Sequence, residues 1–211
     1  MAKVAAKTAE ERKRQIVTEF RRGEILEAAA KVFGDKGFEG TRMDDIAAEA
    51  GLAKATVYVY FDSKDEIYEA TVEQALKEIT ALTEEQIAQA KDFAGRLRAF
   101  VTVRLSYWRE KHLLYRVISS MNREMLDRKR SLKWRKPAVD DLTTLFREAA
   151  ERKEIPQQNF EAAAWALMDM IRGIHERRIA RYEDSPEEEI EQLMGFMLRA
   201  LGYESSLRKS R

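Results

Sequence analysis

The sequence predicts an all-α protein, and three observations carry that prediction. Apolar residues recur at helical spacing through most of the chain, helix-start and helix-stop residues punctuate it, and the one run with β character has no partner strand. Three prolines and nine glycines in 211 residues leave room for long helices. An apolar fraction of 45% beside a charged fraction of 36% describes a soluble chain with enough bulk for a real core.

Residues 1–22 carry seven basic side chains against three glutamates. Such a run is either a solvated leader or an arm that lies along phosphates. Residues 1–15 are expected to form a flexible basic arm. From 16 to 33, Phe20, Ile25, Leu26, Ala29, Val32 and Phe33 fall on helical spacing, and Gly34 to Gly37 should end that helix with a left-handed cap. Thr41, with Asp44 three residues on, is expected to cap a short helix over 43–49, which Gly51 closes. Ser63 and Glu66 form a second capping box, opening a helix over 64–80. Helices follow at 84–91, either separate or continuous with the one before, then at 93–110, 112–126, 132–153, 159–182 and 186–202. The last opens at Ser185-Pro186, with acidic residues near the positive end of the helix dipole.

The stretch GLAKATVYVYFDSK, residues 51–64, is the exception. Its centre, Val57 to Phe61, has strand propensity, but a lone strand leaves its backbone unsatisfied, whereas a two-turn helix packed on neighbours does not. On a helix, Val57 and Phe61 share one face and can bury against Leu26, Ile46 and Ala47. Lys54, Thr56, Tyr58, Val59 and Tyr60 are then left largely exposed beside small Ala53 and Ala55. Small residues, hydroxyls and methyls on an exposed helix suit the DNA major groove better than they suit water. A helix, Gly51 and a second helix together read as a helix-turn-helix.

Residues 21–70 resemble the DNA-binding region of the tetracycline-repressor (TetR) family. The resemblance rests on Ile25-Leu26 with Ala28-Ala29, Phe33 with Lys36-Gly37-Phe38, Thr41 with Ile46-Ala47, Ala50-Gly51, and Val57-Tyr58, Tyr60-Phe61 and Ser63-Lys64, in that order. It covers about a quarter of the chain closely; the rest is similar in length and helical layout. The resemblance implies that Thr41 and Arg42 contact phosphate, that Lys54, Ala55, Thr56 and Tyr60 reach bases or backbone, and that Tyr58 and Lys64 clamp phosphates. Ala53 stands where a serine cap is common and Ala55 where glycine is frequent, which blurs which bases are read. The implied architecture is a DNA-binding domain over 16–66 and a helical bundle over 67–211 for ligand binding and dimerisation.

Catalytic chemistry finds no constellation. The two histidines, His112 and His175, lie outside any metal-binding helix pattern, no glycine-rich phosphate loop appears, and there is no cysteine. No cofactor or metal is expected. No membrane span or signal peptide is apparent, which with the lack of cysteine fits a cytoplasmic protein.

Helices after residue 92 are rich in Trp, Tyr and Met. Ordinary core is the plain reading of each such residue, but in a family with inducer pockets a subset is expected to line an apolar cavity. The expected wall is Trp108, Trp134, Trp165 and Met168, with Arg104 and Arg172 as polar anchors. A stripe of Met194, Met197, Leu198 and Leu201, with Leu167, Ile171 and Ile174 before it, is expected at a two-fold dimer interface. The reading is a homodimeric repressor that binds a palindromic operator and is released by a small apolar or amphipathic effector. The alternatives are a ligand-independent architectural DNA-binding protein and a helical enzyme.

Overall fold

The computed structural model describes residues 2–121, 125–180 and 185–203. Those residues form nine helices and no strand: α1 (Ala2–Gly40), α2 (Met43–Glu49), α3 (Lys54–Tyr60), α4 (Lys64–Gln89), α5 (Phe93–Glu110), α6 (His112–Met121), α7 (Met125–Glu151), α8 (Phe160–Ala180) and α9 (Pro186–Ala200). The expected all-α class holds. Residues 122–124 and 181–182, which the sequence reading placed in helices, lie outside the described residues.

Several boundaries differ from expectation, each for a local reason. α1 opens at Ala2, so most of the expected N-terminal arm is helical. It also runs past Gly34, breaking only at Gly37, where φ is 72°. α2 is capped one residue later than expected. Arg42 is its N-cap, and the Asp45 carboxylate accepts from the Arg42 backbone N–H at 2.8 Å. The Ser63 cap stands as expected, its hydroxyl accepting from the Glu66 N–H at 3.1 Å. The stretch over 84–91 merges into α4, which runs unbroken to Gln89.

The VYVYF run is helical, as α3. Helix propensity disfavours its valines and tyrosines by roughly 0.5 kcal/mol each. Burial of Val57 and Phe61, each worth about 1.5–3 kcal/mol, outweighs that. Both are fully buried in a core shared with Leu26, Ile46 and Ala47. Tyr68 and Val72 of α4 and Val117 of α6 belong to the same core, so the head built by α1–α3 is not packed on itself alone.

A second core gathers α5, α7, α8 and α9 around Phe93, Phe100, Phe146 and Leu167. Arg178 of α8 forms a half-buried ion pair with Glu189 of α9 and donates to the Leu105 carbonyl of α5 at 3.0 Å, tying three helices.

The head meets the body where α6 crosses the end of α1. Gly34 is required there: a Cβ added to it would lie 2.3 Å from Leu113 Cβ. Arg116 of α6 donates to the Gly34 carbonyl. Gly34→Ala should therefore cost roughly 1–3 kcal/mol. The loss should shrink in a Leu113→Gly background, measured by urea unfolding of the single and double variants. An equal loss in both backgrounds would show that Leu113 is not what demands glycine.

Candidate functional site

α3 lies at the surface of the head with one face buried and one bare. Lys54, Ala55, Tyr58 and Val59 are exposed, while Thr56 and Tyr60 are half-buried. Val59 is 76% exposed, a branched apolar side chain with no packing role. A thymine methyl is the kind of group that could meet it. The helix is anchored from behind: Arg22 donates to the Tyr60 carbonyl at 2.5 Å and lies 4.0 Å over the Phe61 ring.

The residues expected at DNA divide into two sets. Arg42, Lys54, Ala55 and Tyr58 are exposed and share this end of the molecule. Thr41 is buried instead, its hydroxyl donating to the Gly37 carbonyl at 2.7 Å, so it closes the α1–α2 turn and has no free hydroxyl for a phosphate. Lys64 is half-buried; its ammonium donates to the Phe38 carbonyl at 2.7 Å and sits 4.3 Å over that ring.

Electrostatically the head is restrained by its own acids. Lys54 pairs with Asp44 at 2.9 Å, Lys36 with Asp45 at 2.6 Å and Lys31 with Glu49 at 2.5 Å. The hydrogen bond to Asp44 raises the Lys54 pKa, and the one from Lys36 lowers that of Asp45. Each of the three lysines has a carboxylate to leave before it can join a phosphate.

A cavity of about 550 Å³ opens in the body, within the size range of small-molecule sites. Its walls come from α4 (Val72, Leu76, Ile79), α5 (Arg104, Trp108), α6 (Tyr115, Ile118), α7 (Trp134, Arg135) and α8 (Met168, Arg172, His175). Five of the six residues expected there, Arg104, Trp108, Trp134, Met168 and Arg172, line it together. Trp165 does not; it packs against the second core, with Arg135 5.2 Å over its ring. Sequence reasoning missed Arg135, His175 and the α4 wall. The spacing of Val72, Leu76 and Ile79 at i, i+4, i+7 was a legible signal for that wall.

The polar lining falls into two kinds. At the rim, Arg135 pairs with Asp169 at 2.6 Å and Arg172 with Glu176 at 2.8 Å. Inside, Arg104 is only 4% exposed, and its partners are the Thr83 hydroxyl at 3.0 Å, the Phe100 carbonyl and the Phe100 ring. Burial pushes its pKa down to about 9, so it is still charged at neutral pH. His175 stacks on Tyr115 with centroids 4.8 Å apart, and its buried Nε2 has no hydrogen-bond partner.

One wall also faces the head. Trp134 packs on Tyr68 with centroids 6.0 Å apart, and Tyr68 in turn contacts Phe33 and Phe38 of α1. An aromatic chain thus runs from the cavity to the helix-turn-helix.

The expected dimer residues are placed differently. Leu167, Ile171, Ile174, Met194, Met197 and Leu201 are buried in the protomer's own core, and Leu198 is half-buried against it. They are the inward stripe of α8 and α9, so a partner would meet the opposite faces. Those carry Ala162 and Ala166 on α8 and Phe196, 53% exposed, on α9.

Burial pushes the His175 pKa down to about 3. A histidine held neutral in the folded state stabilises it fully above the unfolded pKa of about 6.5, and that contribution is lost as pH falls toward 3. Between the unfolded pKa of about 6.5 and the folded value of about 3, this residue should lower stability by about 1.4 kcal/mol per pH unit as pH falls. In His175→Phe the acid limb should be shallower by that amount in urea unfolding at pH 7 and pH 5; parallel limbs would rule the assignment out.

Residues 25–71 match the family model of bacterial regulatory proteins of the tetR family. Over 98 residues the chain is 34% identical to the HTH-type transcriptional activator FasR of Mycolicibacterium smegmatis, a stretch covering 46% of this chain and 45% of that one. The matched stretch thus spans less than half the length of that curated relative. In three dimensions the fold is similar to the fatty acid degradation regulator FadR from Bacillus halodurans, with TM-score 0.74, 17% identity, and 87% of this chain and 97% of that one covered. It is also similar to AibR, solved with isovaleryl coenzyme A and operator DNA, with TM-score 0.66, 22% identity, and 83% and 97% covered. Residues 25–71 thus match the tetR family's DNA-binding region, and the helical body behind them shares the fold of those solved structures.

Proposed function

We propose that the chain is a homodimeric transcriptional regulator that reads a palindromic operator with α3 of each copy and releases it when an amphipathic small molecule fills the body cavity. One observation carries this reading: the helix-turn-helix with a bare α3 face is packed on α4 and α6, and those two helices also wall the cavity. The likeness in fold to AibR, which was solved with isovaleryl coenzyme A and operator DNA, supports this reading. A ligand acts only by its differential affinity for the DNA-competent and DNA-incompetent arrangements. Repression is the expected sign.

In vitro selection from random duplex DNA should return an inverted repeat whose half-sites lie about 34–36 Å apart, or a multiple of that. Lys54→Ala with Tyr58→Ala should abolish binding to that repeat while leaving helicity unchanged in circular dichroism. Asp44→Asn should do the opposite. It frees Lys54, tightens binding and steepens the salt dependence by roughly one phosphate contact. Wild-type affinity and salt slope in both variants would sink the assignment of α3 as the reading helix.

Dimerisation is assigned to the outer faces of α8 and α9. Ala162, Ala166 and Gly173 let backbones approach closely, and Phe196 supplies the apolar anchor. Phe196→Glu should give a monomer in sedimentation velocity at micromolar concentration, because it would bury an unpaired charge. A dimer of undiminished affinity would place the interface elsewhere.

A further inference from the structure

We infer that the cavity takes a free monocarboxylate with its head group innermost, the carboxylate against the Arg104 guanidinium and an alkyl chain running out past Trp108, Trp134 and Met168. This deepens the effector reading above and rests on it. The argument begins with a charge that lacks a counter-charge. Arg104 is buried in the cavity wall, yet among the described residues it forms no ion pair. Its partners, Thr83 and Phe100, are neutral, and Asp141 acts on it only from beyond ion-pair distance. A guanidinium offers five N–H donors in a planar fork that fits a carboxylate. Burying it without an anion costs several kcal/mol, which a bound anion offsets.

Beside it stands a second unmet group. His175 Nε2 is buried and without a partner in the same wall. The His175 ring also bonds the Arg104 backbone, so the imidazole is held next to that residue. A guanidinium without an ion pair and an imidazole nitrogen without a partner suit one small planar anion.

The rim disfavours the opposite orientation. Its arginines, Arg135 and Arg172, are already paired with Asp169 and Glu176. A polyphosphate head group lodged there would meet those carboxylates as well as the arginines. A coenzyme A thioester would also bring no carboxylate to Arg104. The chemistry therefore favours the free acid over the thioester.

Delipidated full-length protein, titrated calorimetrically with decanoate, decan-1-ol and decanoyl coenzyme A, tests this, with operator release followed in parallel by fluorescence anisotropy. Decanoate should bind roughly ten- to a hundredfold more tightly than decan-1-ol, the range of a charge-assisted hydrogen-bonded pair. Decanoyl coenzyme A should bind more weakly than decanoate. Arg104→Met should lose the preference for decanoate over decan-1-ol while melting no lower than the parent, since it removes an uncompensated buried charge. Equal affinity for acid and alcohol, an undiminished preference in Arg104→Met, or tighter binding of the thioester would each overturn the inference. In those cases operator release by the alcohol or thioester would leave the effector reading standing. If none of the three bound or released the operator, both readings would fall.

Discussion

The architecture depends on the close approach of α6 to the end of α1. Gly34 has no side chain, so Leu113 can occupy the space a Cβ would fill, and Arg116 reaches the Gly34 carbonyl. That contact makes the helix-turn-helix head and the cavity neighbours. The head core is completed by Tyr68 and Val72 from α4 and Val117 from α6, so it has no boundary at residue 66. α4 starts at the head, capped by Ser63, and carries the cavity wall at Val72, Leu76 and Ile79 on the same rigid rod.

This shared framework gives the proposed regulation a physical route. Packed cores deform between discrete arrangements rather than continuously. A molecule that alters the spacing of α4, α6 and α7 from inside the cavity must also alter what Tyr68 and Trp134 present to Phe33 and Phe38. Spatial adjacency of this kind makes coupling feasible; its size is set by how differently the ligand binds the two arrangements.

Much of the fold was legible in the sequence because helical periodicity and capping residues are local signals. The helical state of Val57 to Phe61 followed from the absence of strand partners, and burial of two residues confirms the packing argument. What misled were positions where a local signal served a tertiary purpose. Gly34 reads as a helix stop but is a close-packing glycine inside α1. Thr41 reads as a cap or phosphate contact but spends its hydroxyl on Gly37. At the cavity, residue type identified five lining residues, since Trp, Met and Arg on apolar helices are conspicuous. Periodicity could not separate the inward stripe of α8 and α9 from an interface, because both are apolar faces of the same helices. Spacing does place Asp169 and Glu176 beside Arg172 on α8. That Arg104 is buried with no ion pair among the described residues is visible only in three dimensions.

The pairing of Lys31, Lys36 and Lys54 with Glu49, Asp45 and Asp44 bears on how the molecule would search a chromosome. Non-specific attraction to DNA grows with each lysine free to displace a counterion. A genome presents about a million or more wrong sites for every right one, and a strongly basic head would be held among them. Here the cations are held by acids one helix away, in a chain whose net charge is only +1. Such a head would skim unrelated sequence with little retention. Its lysines would exchange carboxylate for phosphate only where the shape and bases of the groove repay the trade.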